Sequence, residues 1–306
     1  MTMELRLLRY FLTVAREGNV TRAADVLHIT QPTLSRQMNQ LEEETGIPLF
    51  TREGRRLELT AEGILLRRRA EEILTLVDKT ERELAAKEGA VDGVVSICCG
   101  EMNAVQGIAD LFRTFSAAYP QVTLELYASN AELAAERIEN GLADLAVFLE
   151  PVDLTKYEYI RLPIRERWAV LLPAQDPLAQ KEYITAADLA GKDLIFPWRA
   201  NVKKELQSWF GEYFSQLRIP IQCNMSTNAA ILVYKGLGYA LCLEGSRAFL
   251  DAAQVCRRPL YPPIEAGSVL AWKKYTPFSV TVEKFIALAR QYAQNRSTSG
   301  KGYAAL

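Results

Sequence analysis

The chain has 306 residues, 49% of them apolar and 24% charged, with 36 Lys and Arg against 37 Asp and Glu. That is an ordinary soluble composition spread over the length of two or three domains. It offers neither the bulk basicity that would by itself argue for a nucleic-acid partner nor an apolar run long enough to span a membrane.

The opening segment, MTMELRLLRYFLTVAREG, is charged throughout and lacks the apolar core and cleavage site of a signal peptide, so a cytoplasmic location is expected. Leu5, Leu8, Phe11, Leu12 and Ala15 fall at helical spacing and Gly18 ends the run. A second helix is expected from Thr21 as its cap, with Ala23, Ala24 and Leu27 inward. "ITQP" then interrupts the period, because Pro32 is tolerated only in the first turn of a new helix. The new helix turns Leu34, Met38 and Leu41 inward. Outward it leaves Gln31, Pro32, Thr33, Ser35, Arg36, Asn39 and Gln40, short or planar polar groups rather than the Glu and Lys of a merely solvated face. Three helices with a tight break before the third match a helix-turn-helix, whose last helix enters the DNA major groove by its N-terminal end. Amides, hydroxyls and guanidinium groups are the side chains that read donor and acceptor patterns there.

After Gly46 the period changes to two, and "IPLF", "TREGRR" and "LEL" read as a hairpin with Arg52, Arg55 and Arg56 at its tip, suited to phosphate or minor-groove contact. Thr60 is expected to cap a helix reaching about Lys87, along which Leu66, Ala70, Ile73, Val77, Thr80 and Leu84 repeat as a heptad seam for a second copy. Gly89 and Gly93 break it. From there strands and helices alternate: "VVSICC", "VTLELYAS", "DLAVFL", "WAVLLP", "DLIFP", "IQCNM", "YALCL" and "SVLAWKK" read as strands. Helices fall near 103–118, 131–140, 201–217, 227–236 and 277–294, an order that implies a parallel sheet with crossover helices. The tail after 296 is read as flexible.

Residues 3–63, with their Ala-Ala pair, "QPTLSRQ", "LEEETGIPLF" and "LTAEG", closely resemble the N-terminal domain of LysR-type transcriptional regulators. Residues 93–296 resemble the family's second module more weakly, through the order of elements and through "GLADLAVFL" and "GLGYALCLE". The resemblance implies an α/β protein: a winged helix-turn-helix over 1–60, a linker and dimerisation helix over 61–89, and an effector-binding domain over 90–296 like a periplasmic binding protein. Within the last, one subdomain covers about 93–162 with 267–296 and the other about 163–266, ahead of a tail at 297–306. It also implies promoter DNA and a small-molecule effector as partners, a homo-oligomer that is a dimer through the linker helix and a tetramer overall, and RNA polymerase as a further candidate partner. By the same resemblance, Gln31, Pro32, Thr33, Ser35 and Arg36 match positions that contact bases and backbone.

In a two-lobed binding protein the ligand lies at strand ends and helix N-termini. Four such junctions can be read: Gly100, Glu101, Met102 and Asn103; Ser129 and Asn130; Trp198, Arg199 and Asn201; and Ser226, Thr227 and Asn228. Arg199 and Lys203 favour an anionic effector, Trp198 is the expected cleft wall, and Trp168 is read as core. Asn130 stands where many relatives have Ser or Thr, and Leu243 with Glu244 where many have Pro-Glu, so no ligand identity carries over.

Enzymatic function is not expected. The single histidine, His28, sits inside the expected DNA-reading unit, where it is expected to pack or cap, and no phosphate loop, nucleophile elbow or metal motif appears. No metal or cofactor is called for. A transport receptor would need an export signal and has no use for the first ninety residues. A redox-switched regulator would act through Cys98, Cys99, Cys223, Cys242 or Cys256, which otherwise read as free thiols. Adjacent Cys98 and Cys99 would point to opposite faces of a strand.

Overall fold

A computed structural model of the chain describes residues 3–53, 56–85, 90–246 and 253–299, with the side chains at 52, 53, 56, 85, 200, 201 and 297–299 outside the description. The chain forms two compact units, Met1–Ala86 and Lys87–Leu306. Among the described residues, no helix is long and apolar enough to cross a membrane.

The first unit is built from α1 (Leu5–Glu17), α2 (Val20–Val26), α3 (Gln31–Thr45), a hairpin of β1 (Phe50–Glu53) and β2 (Arg56–Leu59), and α4 (Ala61–Ala85). Its core is the inward stripe of α1 (Leu7, Leu8, Phe11, Val14) against Ala23 and Ala24 of α2 and Leu34, Met38 and Leu41 of α3. Gly18 ends α1 in the left-handed region at φ 60°, a conformation that a side chain penalises. Its carbonyl then accepts from Leu57 N–H at 3.1 Å, tying the hairpin to the helix end. Asn19, rather than Thr21, caps α2, its side-chain oxygen accepting from Arg22 N–H at 3.0 Å. An extended Asn directly after the αL glycine reaches that amide, which Thr21, already inside the helix, cannot. His28 also departs from expectation: it lies exposed in the turn before α3 with φ 54°.

Thr60 does cap α4, accepting from Gly63 N–H at 2.9 Å while its own hydroxyl donates to Pro48 O at 2.9 Å. A Cβ at Gly63 would collide with the Leu49 carbonyl, so only glycine lets α4 start this close to the hairpin. The expected heptad seam is split by the fold. Ala70 is fully buried and Leu66 partly so, and with Leu74 they pack on the unit's own core. Leu65, Ile73, Leu76 and Leu84 are exposed instead. Half of the stripe is taken by α1, three helices upstream, which supplies an intramolecular partner, while Ile73 and Leu84 of the expected seam stay on the surface.

The second unit contains β3 (Gly93–Cys99), α5 (Ala104–Ala118), β4 (Val122–Ala128), α6 (Ala131–Glu139), β5 (Leu145–Leu149), β6 (Tyr157–Pro173), α7 (Ala186–Leu189), β7 (Asp193–Pro197), α8 (Ala200–Phe210), β8 (Arg218–Cys223), α9 (Ser226–Tyr234), β9 (Tyr239–Leu243), β10 (Val255–Pro259), β11 (Glu265–Lys273) and α10 (Val280–Ser299). The strand order is β4-β3-β5-β11-β6-β9-β7-β8, with β10 also on β6. The sheet is mixed rather than parallel: β3 runs parallel to β4 and β5, and β7 to β8 and β9, but β6 and β11 pair antiparallel with each other and with β9 and β5 respectively.

The reason is β6, a 17-residue strand of which only the last third, "WAVLLP", is apolar enough to read from sequence. Its first part alternates buried Ile160, Leu162 and Ile164 with exposed Glu158, Arg161 and Arg165. It pairs with β11 over Tyr157–Arg167 and with β9 and β10 over Trp168–Pro173, so one strand serves two lobes. The β6–β11 register slips between Gly267 and Ser268, whose partners jump from Arg165 to Leu162.

The lobes have separate cores. Val95, Ile97, Ile108, Phe115 and Phe285 build one, and Val170, Leu194, Phe196, Leu206 and Phe210 the other. Buried Asp144, in "GLADLAVFL", accepts from Ser96 N–H and Oγ at 2.8 and 2.7 Å, locking β5 beside β3. Cys98 and Cys99 do face opposite sides of β3, into different cores. Burial pushes the Cys99 and Cys242 thiols up to about 12, which leaves both protonated and poor nucleophiles at neutral pH.

Candidate functional sites: a groove-reading helix and a two-lobed cleft

The N-terminal turn of α3 is exposed while its opposite face is sealed into the core, so its polar groups are held on a rigid support. Gln31 Nε2 donates to Ser35 Oγ at 2.7 Å, and the Thr30 and Thr33 hydroxyls meet at 2.8 Å. Gln31, Pro32, Thr33, Arg36 and Asn39 are exposed and Ser35 is half-buried. Pro32 occupies the first turn, where its missing N–H breaks no helical hydrogen bond. The helix is braced from behind: Glu42 accepts from Leu49 N–H at 2.7 Å and Phe50 N–H at 3.1 Å, fixing the hairpin beside α3. Arg52 and Arg56 lie on the paired strands, opposite Leu57 and Glu53. Arg55, and the side chains of all three arginines, lie outside the described residues.

The second site is a cavity of about 160 Å³ in the second unit, where strand ends of both lobes converge. Of the expected residues, Gly100, Glu101, Met102, Ser129, Asn130, Trp198, Arg199 and Ser226 line it. Asn103, Thr227 and exposed Asn228 do not, and the Asn201 side chain lies outside the described residues. Asn130 caps α6, accepting from Leu133 N–H at 2.8 Å. Arg199, at the start of α8, has its guanidinium mostly buried, reaches Leu149 O at 3.4 Å and faces Glu132 at 3.9 Å. Burial lowers its pKa, and Glu132 and Glu205 act against that. Lys203 is exposed and lines no part of the cavity.

Two helix N-termini are already filled by the protein's own carboxylates. The Glu101 carboxylate, from the loop after β3, accepts from Thr227 N–H at 3.1 Å and from the Thr227 hydroxyl at the start of α9. Glu166, fully buried on β6, accepts from Asn103 and Ala104 N–H at 2.9 and 2.8 Å at the start of α5. Burial pushes the Glu166 carboxyl up to about 7, against the lowering effect of those two N–H groups. The Ser246 hydroxyl donates to Glu101 O at 2.7 Å, and a Cβ at Gly245 would strike the Asn103 backbone.

Sequence reasoning missed Glu166, and it read Trp168 as core, which it is, without its place on the cavity wall. Trp168 is 4% exposed, and its Nε1 is buried with no hydrogen-bond partner. Trp198, the expected wall, is 69% exposed and lines the cavity as well. Trp168 carried a weak signal, an indole N–H in an otherwise apolar strand. The Glu166 contact, 63 residues from Asn103, carried none.

A helix-turn-helix with a hairpin wing, followed by a two-lobed α/β unit with a cleft, defines a ligand-responsive DNA-binding regulator. Residues 5–64 match the family described as bacterial regulatory helix-turn-helix protein, lysR family, and residues 88–294 match the LysR substrate binding domain. The chain belongs to the LysR family of transcriptional regulators. It is 31% identical over 298 residues to the Hca operon transcriptional activator HcaR of Escherichia coli (strain K12), covering 94% of this chain and 98% of that protein. In fold it is similar to CbnR, a LysR family transcriptional regulator, with TM-score 0.76 and 23% identity over 95% of this chain and 99% of that one. The likeness extends to full-length CbnR complexed with its target DNA, with TM-score 0.72 and 21% identity over 96% and 100% of the two chains.

Proposed function

We propose that this regulator reads its operator with Gln31, Pro32, Thr33, Ser35, Arg36 and Asn39 at the front of α3, with Arg52, Arg55 and Arg56 of the wing on the adjoining backbone. The observation that supports this most is the division of α3 into a sealed face and an exposed polar start, since a purely structural helix has no use for the second. Residues 1–60 act as the DNA-binding domain, 61–89 as the linker and 90–296 as the effector domain, whose lobes meet at 162/163 and 266/267.

The exposed stripe Leu65, Ile73, Leu76 and Leu84 on α4 is apolar surface of the kind buried between two copies, and a dimer of such dimers makes the tetramer. Two copies would present their reading helices to an inverted repeat. An effector in the cleft shifts the balance between two arrangements by no more than its differential affinity for them. The protein works in the cytoplasm and is not an enzyme.

Ser35→Ala and Arg36→Ala test the reading. Each is expected to weaken binding to the promoter fragment in fluorescence anisotropy, by about 1–3 kcal/mol for a lost bidentate contact, with an unchanged thermal midpoint. Equal loss of stability would assign these residues to folding instead.

A further inference from the structure

Arg199 lines the cleft with most of its hydrogen-bonding capacity unspent. A guanidinium carries five N–H donors and keeps its charge at any physiological pH, so its burial has to be met by partners and cannot be met by losing the proton. The side chain is 19% exposed. Among the described residues it makes one hydrogen bond, a long one of 3.4 Å to the Leu149 carbonyl. Glu132 stands 3.9 Å from its Nε, beyond hydrogen-bond range, with 64% of its own side chain in solvent. Glu205, on the same helix, adds only a longer-range attraction. An ion pair so loosely met and so open to water on one side is worth little, whereas the guanidinium fork is shaped for both oxygens of one carboxylate.

The other polar groups of the wall are differently disposed. The Glu101 carboxylate is spent on the N–H and hydroxyl of Thr227. The Trp168 indole N–H and the Ser129 hydroxyl are sealed inside the wall and cannot reach a guest. Most of the remaining wall is apolar, with Val147, Leu149, Ile195, Val202 and Leu241 facing the space. The volume, about 160 Å³, is close to that of an engineered apolar cavity of roughly 150 Å³ that takes up benzene. A guest that fits therefore has a compact apolar body and one anionic group, since a second would find Glu101 and Glu132 and no further cation along the wall.

The partners of Arg199 also lie across the cleft from it. Arg199 opens α8, whose Val202 and Leu206 belong to one core, while Glu132 opens α6, whose Ala134 and Ile138 pack with Cys98 of β3 in another. The carboxylate that faces the guanidinium thus comes from the opposite lobe.

We infer that Arg199 selects an effector with a compact apolar body and a single carboxylate, and that Glu132 is the intramolecular competitor which this carboxylate displaces from the guanidinium. The inference rests on the reading of the cleft as the effector site. Exchanging Glu132 for the effector's carboxylate removes a direct attraction between the lobes and puts a shared guest in its place, so the charge of the effector is coupled to how the lobes are held. A neutral molecule of the same shape leaves Arg199 facing Glu132 and gains apolar burial alone.

The test uses the full chain and two probes of one shape, cyclopentanecarboxylate and its neutral carboxamide, titrated by calorimetry at fixed ionic strength. The wild type is expected to bind the carboxylate about tenfold more tightly than the carboxamide. Arg199→Met should abolish that preference and leave carboxamide affinity unchanged. Glu132→Gln, at an exposed position that leaves the fold intact, should tighten the carboxylate about threefold by removing the competitor and leave the carboxamide alone.

Three results would each overturn the assignment: no saturable carboxylate binding or no preference for it in the wild type, an undiminished preference in Arg199→Met, or carboxylate binding that Glu132→Gln weakens or leaves unchanged. The affinity for a promoter fragment, measured with and without saturating carboxylate, reports on the effector reading separately. Carboxylate bound through Arg199 with DNA affinity unmoved would sink that reading and spare the anion site.

Discussion

The front of α3 and the cleft of the second unit are both polar clusters at helix N-termini, yet they are built in opposite ways. On α3 the contacts are local: Gln31 reaches Ser35 four residues on, and Thr30 reaches Thr33 three on. In the cleft they are distant in sequence: Glu101 reaches Thr227 across 126 residues, Ser246 returns to Glu101 across 145, and Asn103 meets Glu166 across 63. Local pairing leaves the outer faces of α3 open to a partner. Distant pairing consumes the cleft's own helix ends and sets the lobes against each other. A surface made to receive a large, uniform ligand such as duplex DNA can be prepared by one helix, while a pocket that discriminates small molecules needs contributions from the whole domain.

The sharpest way to break this contrast is to separate face from face on α3. Leu34→Ala removes a fully buried side chain and should destabilise the first unit by about 2–5 kcal/mol, in contrast to Arg36→Ala next to it on the exposed side. The four tryptophans all lie in the second unit. Urea unfolding followed by circular dichroism should therefore show the Leu34 loss while tryptophan fluorescence holds its midpoint. A shift in both signals would show the units to be coupled.

In the cleft, Gly245→Ala places a Cβ against the Asn103 backbone, and overpacking of this kind costs about 1–3 kcal/mol. Here the fluorescence midpoint should fall and DNA affinity should not.

Glu166 gives a pH test with a definite sign. Its folded-state pKa, about 7, stands above the ordinary 4.5, so the native state holds this proton more tightly than the unfolded state. Its contribution to stability is full below the unfolded value and is lost as pH rises toward 7. Glu166→Gln should flatten the decline in the fluorescence-monitored midpoint between about pH 4.5 and pH 7. An unaltered slope would place the titration elsewhere.

The smallest effect belongs to a purely local contact. Asn19→Ala removes the α2 cap and should cost about 1 kcal/mol, visible by circular dichroism alone.

The N-terminal unit was legible because its signals are short-range. Pro32 punctuates the break before α3, Leu34, Met38 and Leu41 mark its inner face, and Thr60 marks the start of α4. Even the misreadings there were small: the α2 cap shifted by two residues, and half of the α4 stripe was claimed by α1. In the second unit the sequence showed strands and helices in order, and each of the four junctions expected to border the cleft contributes at least one residue to the cavity wall. The antiparallel course of β6 stayed hidden, because a strand shared by two lobes alternates buried and charged residues along half its length and reads as surface.

Periodicity and caps thus settled by themselves which face of α3 is buried and which of its polar groups are left on the outside, since those depend on neighbours three or four positions away. Tertiary structure alone decided that Glu101 and Glu166 fill the helix ends, that Trp168 keeps an unpaired N–H beside the cavity, and that one strand joins both lobes. Each of those facts depends on chain segments brought together by the burial of two separate cores, and no local pattern encodes which distant group will arrive.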